Sequence, residues 1–180
     1  MTNIVVYGCD NSGKTSLANH IAEKFKLQYV RSKGGPNMST QEVLQYLDKN
    51  LDEGNKVFDR FSIIEEYTNG LILRGKDRFR EEFIDELSFM DRVDLFIYAC
   101  PSMEEVKKFG DREQMDGIIE NIDKLREMYR VFTINDVITP NRRLIIFDWT
   151  KDKDYAKIDQ ALEYFFDNAE RKLELMMEIE

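Results

Sequence analysis

"GCDNSGKT", residues 8–15, lies between "NIVVY" (3–7), a mostly β-branched and aromatic run, and "SLANHIAEKF" (16–25), whose Leu17, Ile21 and Phe25 recur at helical spacing. The stretch reads as strand, glycine loop, helix. Gly8, Gly13, Lys14 and Thr15 fit the pattern Gly, four residues, Gly, Lys, Ser or Thr. Average residue usage would produce it by chance in about one such chain in a few hundred. Each residue type has a physical task. The two glycines allow backbone angles and close approaches denied to a residue with a Cβ, so that successive amides can converge on one anion. The following helix adds its positive N-terminal end. Lys14 supplies a flexible point charge for terminal phosphates, and the Thr15 hydroxyl a hard oxygen ligand for Mg²⁺.

The bulk composition frames that loop. The chain has 180 residues, 42% of them apolar and 34% charged, an ordinary composition for one soluble domain with a sizeable core. No long apolar run or secretory leader is present, which points away from membranes and secretion. Cys9 and Cys100 have no metal or disulfide spacing and both end apolar runs, so buried reduced thiols in a cytoplasm are expected. A formal charge of −9 opposes nucleic acid as the default partner. Small anionic substrates fit, because a few amides and basic side chains can focus a local field.

No repeat, low-complexity tract or proline-rich linker divides the chain, and one domain over residues 1–180 is expected. Strand-like runs recur at "NIVVYG", "LQYVRS", "KVFDR", "DLFIYA" and "RLIIFD", with helical patterns between most of them. That alternation predicts an α/β fold with a five-stranded parallel sheet covered by helices on both faces. Ser39 with Glu42, and Ser102 with Glu105, have the spacing of capping boxes. From Tyr155 onward Ile158, Leu162, Phe165, Phe166, Ala169 and Leu173 mark an amphipathic helix. Its apolar stripe serves as core or as a subunit contact, which leaves a homodimer as one expectation. The single histidine, His20, falls outside the apolar stripe of the first helix and reads as a surface residue.

Ligands of parallel α/β sheets gather at the carboxyl ends of the strands. There the chain turns polar: "VRSKGG", "FDRFS" and "FDWTKDKD". Asp59 and Arg60 admit two readings. Asp59 can cap a helix beginning near Ser62, with Arg60 a surface cation. Alternatively Asp59 faces Mg²⁺ while Arg60 forks onto a phosphate oxygen.

In this order the pieces resemble thymidylate kinase and its nucleoside monophosphate kinase relatives over nearly the whole chain. "RSKGGP" (31–36) resembles the family's Arg-Glu-Pro-Gly-Gly-Thr segment, and "DRF" (59–61) its Asp-Arg-Tyr motif. "DLFIYACPSMEEVKKFGDREQ" with "LREMYRVF" resembles the strand, basic lid and long helix. The resemblance implies the P-loop kinase fold with a small helical lid at about residues 101–115, transfer of the ATP γ-phosphoryl group to a (deoxy)nucleoside monophosphate, and Mg²⁺ as cofactor. It implies catalytic roles for Lys14, Asp59, Arg60 and the lid cation Arg112, with Lys107 or Lys108 as further lid cations. Gly8, Asn11, Ser12, Gly13, Lys14, Thr15, Ser16 and Trp149 would contact ATP, with Asp148 and Thr150 bordering the adenine beside Trp149, for which packing is the alternative reading. Asp10, Arg31, Arg60, Tyr67 and Asn69 would contact the acceptor, and Thr15 and Asp59 the metal. Asp10 would read the sugar 3′-hydroxyl, its charge offset by that hydroxyl or by a neighbouring cation such as Arg31.

The departures concern the acceptor. Ser32 and Lys33 stand where the family has Glu and Pro, and no arginine lies between Arg31 and Arg60. Two rival readings remain. A kinase for a hydroxyl acceptor, on a nucleoside or a modified DNA base, would need a carboxylate base where this strand ends in Arg31 and Ser32; Arg74, Lys76, Arg78 and Arg80 form the strip a DNA substrate would use. A non-catalytic nucleotide-binding module has no need of a basic lid.

Overall fold

The runs at 3–7, 56–59 and 95–99 become strands buried on both faces, whereas the run at 144–147 keeps Ile146 exposed. In a computed structural model, residues 2–33, 38–109 and 116–177 are described, with side chains to residue 168. The order is β1 Asn3–Tyr7, α1 Lys14–Phe25, β2 Gln28–Arg31, α2 Thr40–Glu53, β3 Lys56–Asp59 and α3 Ser62–Glu65, which runs into a π-helix at Glu66–Arg74. Then come α4 Arg78–Glu81, α5 Glu86–Met90, β4 Leu95–Ala99, α6 Met103–Lys107 and α7 Ile118–Phe132, which runs into a second π-helix at Thr133–Ile138. β5 Leu144–Phe147 and α8 Ala156–Met177 follow.

The five strands form one parallel sheet in the order β2-β3-β1-β4-β5. Strand alternation sorts β1 between two cores: Ile4 and Val6 pack with Leu17, Ile21, Ile158 and Leu162 of α1 and α8. Val5 and Tyr7 pack on the other side with Val43, Leu47, Leu125 and Tyr129 of α2 and α7. The expected α/β architecture, with helices on both faces, is present. Of the lid region, α6 is described, whereas Arg112 and its neighbours at 110–115 lie outside the described residues.

Local signals were uneven guides. Ser39 forms a complete capping box with Glu42. Ser102 makes only half of one: its hydroxyl accepts from the Glu105 amide at 3.4 Å, while the Glu105 carboxylate is taken by Lys108 at 2.5 Å. His20 is no free surface residue. Its ring stacks on Tyr155 at 4.2 Å and its Nε2 lies 2.7 Å from the Asp159 carboxylate, joining α1 to α8.

Candidate active site

The phosphate loop leaves β1 through Gly8, whose φ of +143° and tight surroundings exclude a side chain: a Cβ there would lie 2.3 Å from the Ala99 carbonyl oxygen at the end of β4. Gly13 takes φ +86° at the start of α1, where a Cβ would press on Trp149 at 3.0 Å. Asn11 is also left-handed, at φ +61°. Its side-chain amide donates to the Phe109 carbonyl at 3.0 Å, tying the loop to the chain just beyond α6. Ser12 is fully buried, and its hydroxyl finds no partner among the described residues.

Lys14 is buried and donates from Nζ to the Cys9 carbonyl at 2.6 Å, with Asp10 at 4.0 Å. Burial, reinforced by the Arg60 charge, holds its pKa below the usual lysine range. An anion brought here would therefore meet a cation that water does not screen. The Cys9 thiol is pushed up by burial to about 11, which leaves it a neutral packing group.

Asp59 does not cap the next helix, because the N-cap position of α3 belongs to Phe61. Its Oδ2 accepts from the Thr15 hydroxyl at 2.8 Å and from the Tyr29 hydroxyl at 2.7 Å. Its Oδ1 is buried with no hydrogen-bond partner among the described residues. Burial, then the bond to Asp59, pushes the Tyr29 phenol up to about 12, so it remains a donor.

Arg60, the next residue, is held in the left-handed region at φ +73°. Such a conformation in a large side chain is uncommon and has to be held by its surroundings. Its Nη2 donates to Asp10 at 2.5 Å and its Nη1 to Glu65 at 3.2 Å. These two carboxylates, Glu65 foremost, raise its pKa further against the cost of burial. The cation that offsets Asp10 is thus Arg60 and not Arg31. Arg31 is exposed, opposite Asp59 in the β2–β3 register, and its carbonyl accepts from Tyr46 at 3.0 Å.

Glu65 was not foreseen from the sequence. It accepts from Arg60, from Asn69 Nδ2 at 3.2 Å and from the Tyr129 hydroxyl at 2.9 Å. Burial, then the Glu65 charge, lifts the Tyr129 phenol far above its ordinary range and keeps it a donor. Asn69 is therefore joined to the Arg60 cluster through Glu65. Tyr67 faces elsewhere: it is buried against Phe132 at 5.5 Å, with the Arg80 guanidinium 4.7 Å from its ring centroid.

On the other side of the loop, Trp149, Phe109, Tyr155 and Lys153 join Asn11, Gly13 and Ser16 around a cleft of about 270 Å³. Asp148 beside it accepts from the Thr150 hydroxyl at 2.6 Å and from Lys151 at 2.9 Å. Lys107 and Lys108 are engaged with Asp123 and Glu105 on the surface. Arg74 and Arg78 converge on the buried Glu66, Arg80 lies 3.6 Å from Asp77, and Lys76 lies 3.9 Å from Glu81. The basic strip is thus partnered by acids within the chain.

No family model matches the chain, and no curated protein sequence does. Solved structures do. The YorR protein from Bacillus subtilis in complex with phosphorylated GDP superposes with TM-score 0.63 at 17% identity, covering 92% of this chain and 94% of that one. Deoxyadenosine kinase from M. mycoides with bound dATP gives TM-score 0.61 at 15% identity over 91% and 99% of the two chains. Thymidylate kinase from Candida albicans gives 0.57 at 14% identity over 91% of each. The fold is that of the nucleoside and nucleotide kinases. In this fold the loop at residues 8–15 and the end of β3 form one polar rim, bordered on the other side by the end of β4. Among the described residues, no helix is long and apolar enough to cross a membrane.

Proposed function

We propose that this chain transfers the γ-phosphoryl group of ATP to the phosphate of a (deoxy)nucleoside monophosphate. The observation that carries the reading is the joining of the phosphate loop to the end of β3. Thr15 meets Asp59, and Asp10 meets Arg60, so donor-side and acceptor-side groups share one rim. The cleft beside Trp149 supports a donor base packed on the loop's outer side, while Asp10, Arg60 and Arg31 are assigned to the acceptor.

The donor set suits a hard divalent cation. Thr15 offers a hydroxyl, and Asp59 keeps a buried carboxylate oxygen with no other partner among the described residues. Thr15 and Asp59 would hold Mg²⁺, which neutralises charge on the donor phosphates when bound. The protein's own residues supply the rest. Lys14 and the loop amides fix the donor phosphates, and Arg60 orients the acceptor. A phosphate monoester oxygen is already anionic near neutral pH, so transfer needs positioning and charge neutralisation more than a base.

That requirement separates the two acceptor chemistries. A hydroxyl acceptor profits from an unengaged carboxylate, whereas Glu65 already accepts from three donors and Asp10 is paired with Arg60. This supports the phosphate acceptor. The test is a panel of nucleosides, ribo- and deoxyribonucleoside monophosphates, and single- and double-stranded DNA, each with ATP and Mg²⁺. Turnover of a monophosphate to its diphosphate is the expected result. Phosphorylation of nucleosides or DNA alone overturns the reading in favour of a hydroxyl kinase, and no turnover with any acceptor in favour of a binding module.

A further inference from the structure

Two nucleotides meeting end to end bring several negative charges into one place. Among the side chains joined around the loop, Asp10, Asp59 and Glu65 are acids and Lys14 and Arg60 are bases. Arg60 is already held between two carboxylates, so the rim as described has little positive charge left for an acceptor phosphate. The helix that supplies more is α7.

Arg126 lies on α7 one turn before Tyr129, and residues three apart share a helix face. Tyr129 reaches Glu65, which holds Arg60, so this face is turned toward the acceptor side of the rim. The Arg126 guanidinium is half-buried and donates from Nη2 to the Pro101 carbonyl at 3.2 Å, with the Cys100 sulfur at 3.7 Å. Both partners sit at the carboxyl end of β4, the strand beside β1. Neither is a carboxylate. The nearby acids of α7 are otherwise engaged, Asp123 by Lys107 and Glu127 by Arg130. A guanidinium has five donors in a planar fork, and the carbonyl and the thiol both engage Nη2, which leaves Nε and Nη1 without a partner among the described residues.

We propose that Arg126, held through Nη2 by Pro101 and Cys100, is an acceptor-phosphate-binding residue whose Nε and Nη1 accompany Arg60 in recognising the 5′-phosphate of the acceptor nucleotide. The inference rests on the monophosphate reading above, and its test separates the two.

Wild type and Arg126→Gln, each with the donor site filled by MgADP, are titrated calorimetrically with the four deoxynucleoside 5′-monophosphates and the four corresponding nucleosides. The expected result is that wild type binds at least one monophosphate about tenfold or more tighter than its nucleoside, the scale of one charge-assisted contact, and that Arg126→Gln loses most of this preference. Nucleoside and ADP affinities should stay within about twofold, and Arg126→Lys, which keeps the charge without the fork, should recover part of the loss. If wild type prefers the monophosphate and Arg126→Gln keeps that preference, the role of Arg126 is overturned and the proposed function stands. If Arg126→Gln loses monophosphate, nucleoside and ADP binding together, Arg126 is a strut between α7 and β4 and the proposal fails. If wild type binds nucleosides as tightly as monophosphates, the monophosphate reading fails and the role of Arg126 with it.

Discussion

Replacing Glu65 by alanine tests whether the acceptor rim is organised as a network or as independent contacts. Glu65 accepts from Arg60, Asn69 and Tyr129, and the last two are 4% and 2% exposed. After truncation Arg60 keeps Asp10, but the Asn69 amide and the Tyr129 hydroxyl lose a buried acceptor. Each such orphan costs about 1–3 kcal/mol, so the variant should lose roughly 3 kcal/mol. For a chain of this length that is a fall in Tm of about 6–12 °C. Tyr129→Phe alone removes one donor and should cost about 1 kcal/mol. The double variant is the sharp case. Once Glu65 is gone the tyrosine hydroxyl is a liability, so Glu65→Ala/Tyr129→Phe should be no less stable than Glu65→Ala, giving a coupling of at least about 1 kcal/mol. Denaturant melts of the four proteins measure this directly, and acceptor titrations should show a weakened KM with ATP affinity retained. Additive losses, or a Glu65→Ala melt within about 2 °C of wild type, would refute the network.

Gly8→Ala should cost at least about 2 kcal/mol in a denaturant melt and weaken ATP binding, since its Cβ would lie 2.3 Å from a strand carbonyl. Gly75→Ala, at φ +71° in open space, should cost only about 1 kcal/mol, and equal losses at the two sites would sink the close-approach argument. Asp59→Asn should lower kcat by roughly 10²-fold and raise the Mg²⁺ concentration needed for half-maximal rate; wild-type activity at low Mg²⁺ would remove Asp59 from the metal set. Glu86 is pushed up to about 7, first by burial and then by Asp77 and Asp136, against the pull of Arg80. The folded state therefore binds its proton more tightly than the unfolded chain, and the stability this confers, present below about pH 4.5, is lost as pH rises through about 7. Glu86→Gln should be more stable than wild type above pH 7 by about 1–2 kcal/mol, allowing for solvent screening, and a gain that does not grow between pH 5 and 8 would contradict this.

Strands and the phosphate loop were legible because their signals are local. The two-residue alternation of Ile4 and Val6 against Val5 and Tyr7, the glycines of the loop and the Ser39 box all act within a few residues. What could not be read depends on distant chain returning to the same place. Tyr129 is 64 residues from Glu65, and Asp159 is 139 residues from His20. Hence a carboxylate at the heart of the rim passed unnoticed and a helix-joining histidine looked like a surface residue. Tyr29 had a signal that could have been used. It lies two residues before Arg31 on the same strand face, so its long side chain reaches the diagonal neighbour Asp59. The π-helix at Glu66–Arg74 escaped because its turn departs from the 3.6-residue period. Gly70 within it permits a close approach, since a Cβ would lie 2.7 Å from the Lys76 carbonyl oxygen.

The strand order explains why these residues meet at all. β1 lies at the centre of the sheet with β3 on one side and β4 on the other. In register, Val6 faces Asp59 and Tyr7 faces Tyr98, so all three strands end at nearly the same level. The loop leaving β1 is consequently flanked by whatever residues terminate its neighbours. β3 contributes Asp59 and Arg60, and β4 contributes Cys100 and Pro101, against which α7 rests Arg126. Neither neighbour is adjacent to the loop in sequence. The tight contact of Gly8 with Ala99 ties the loop to β4, and the Thr15–Asp59 bond ties it to β3. A shift of either strand would therefore disturb the phosphate loop and its charged partners together, because the same few contacts fix the backbone cradle and aim the side chains that serve it.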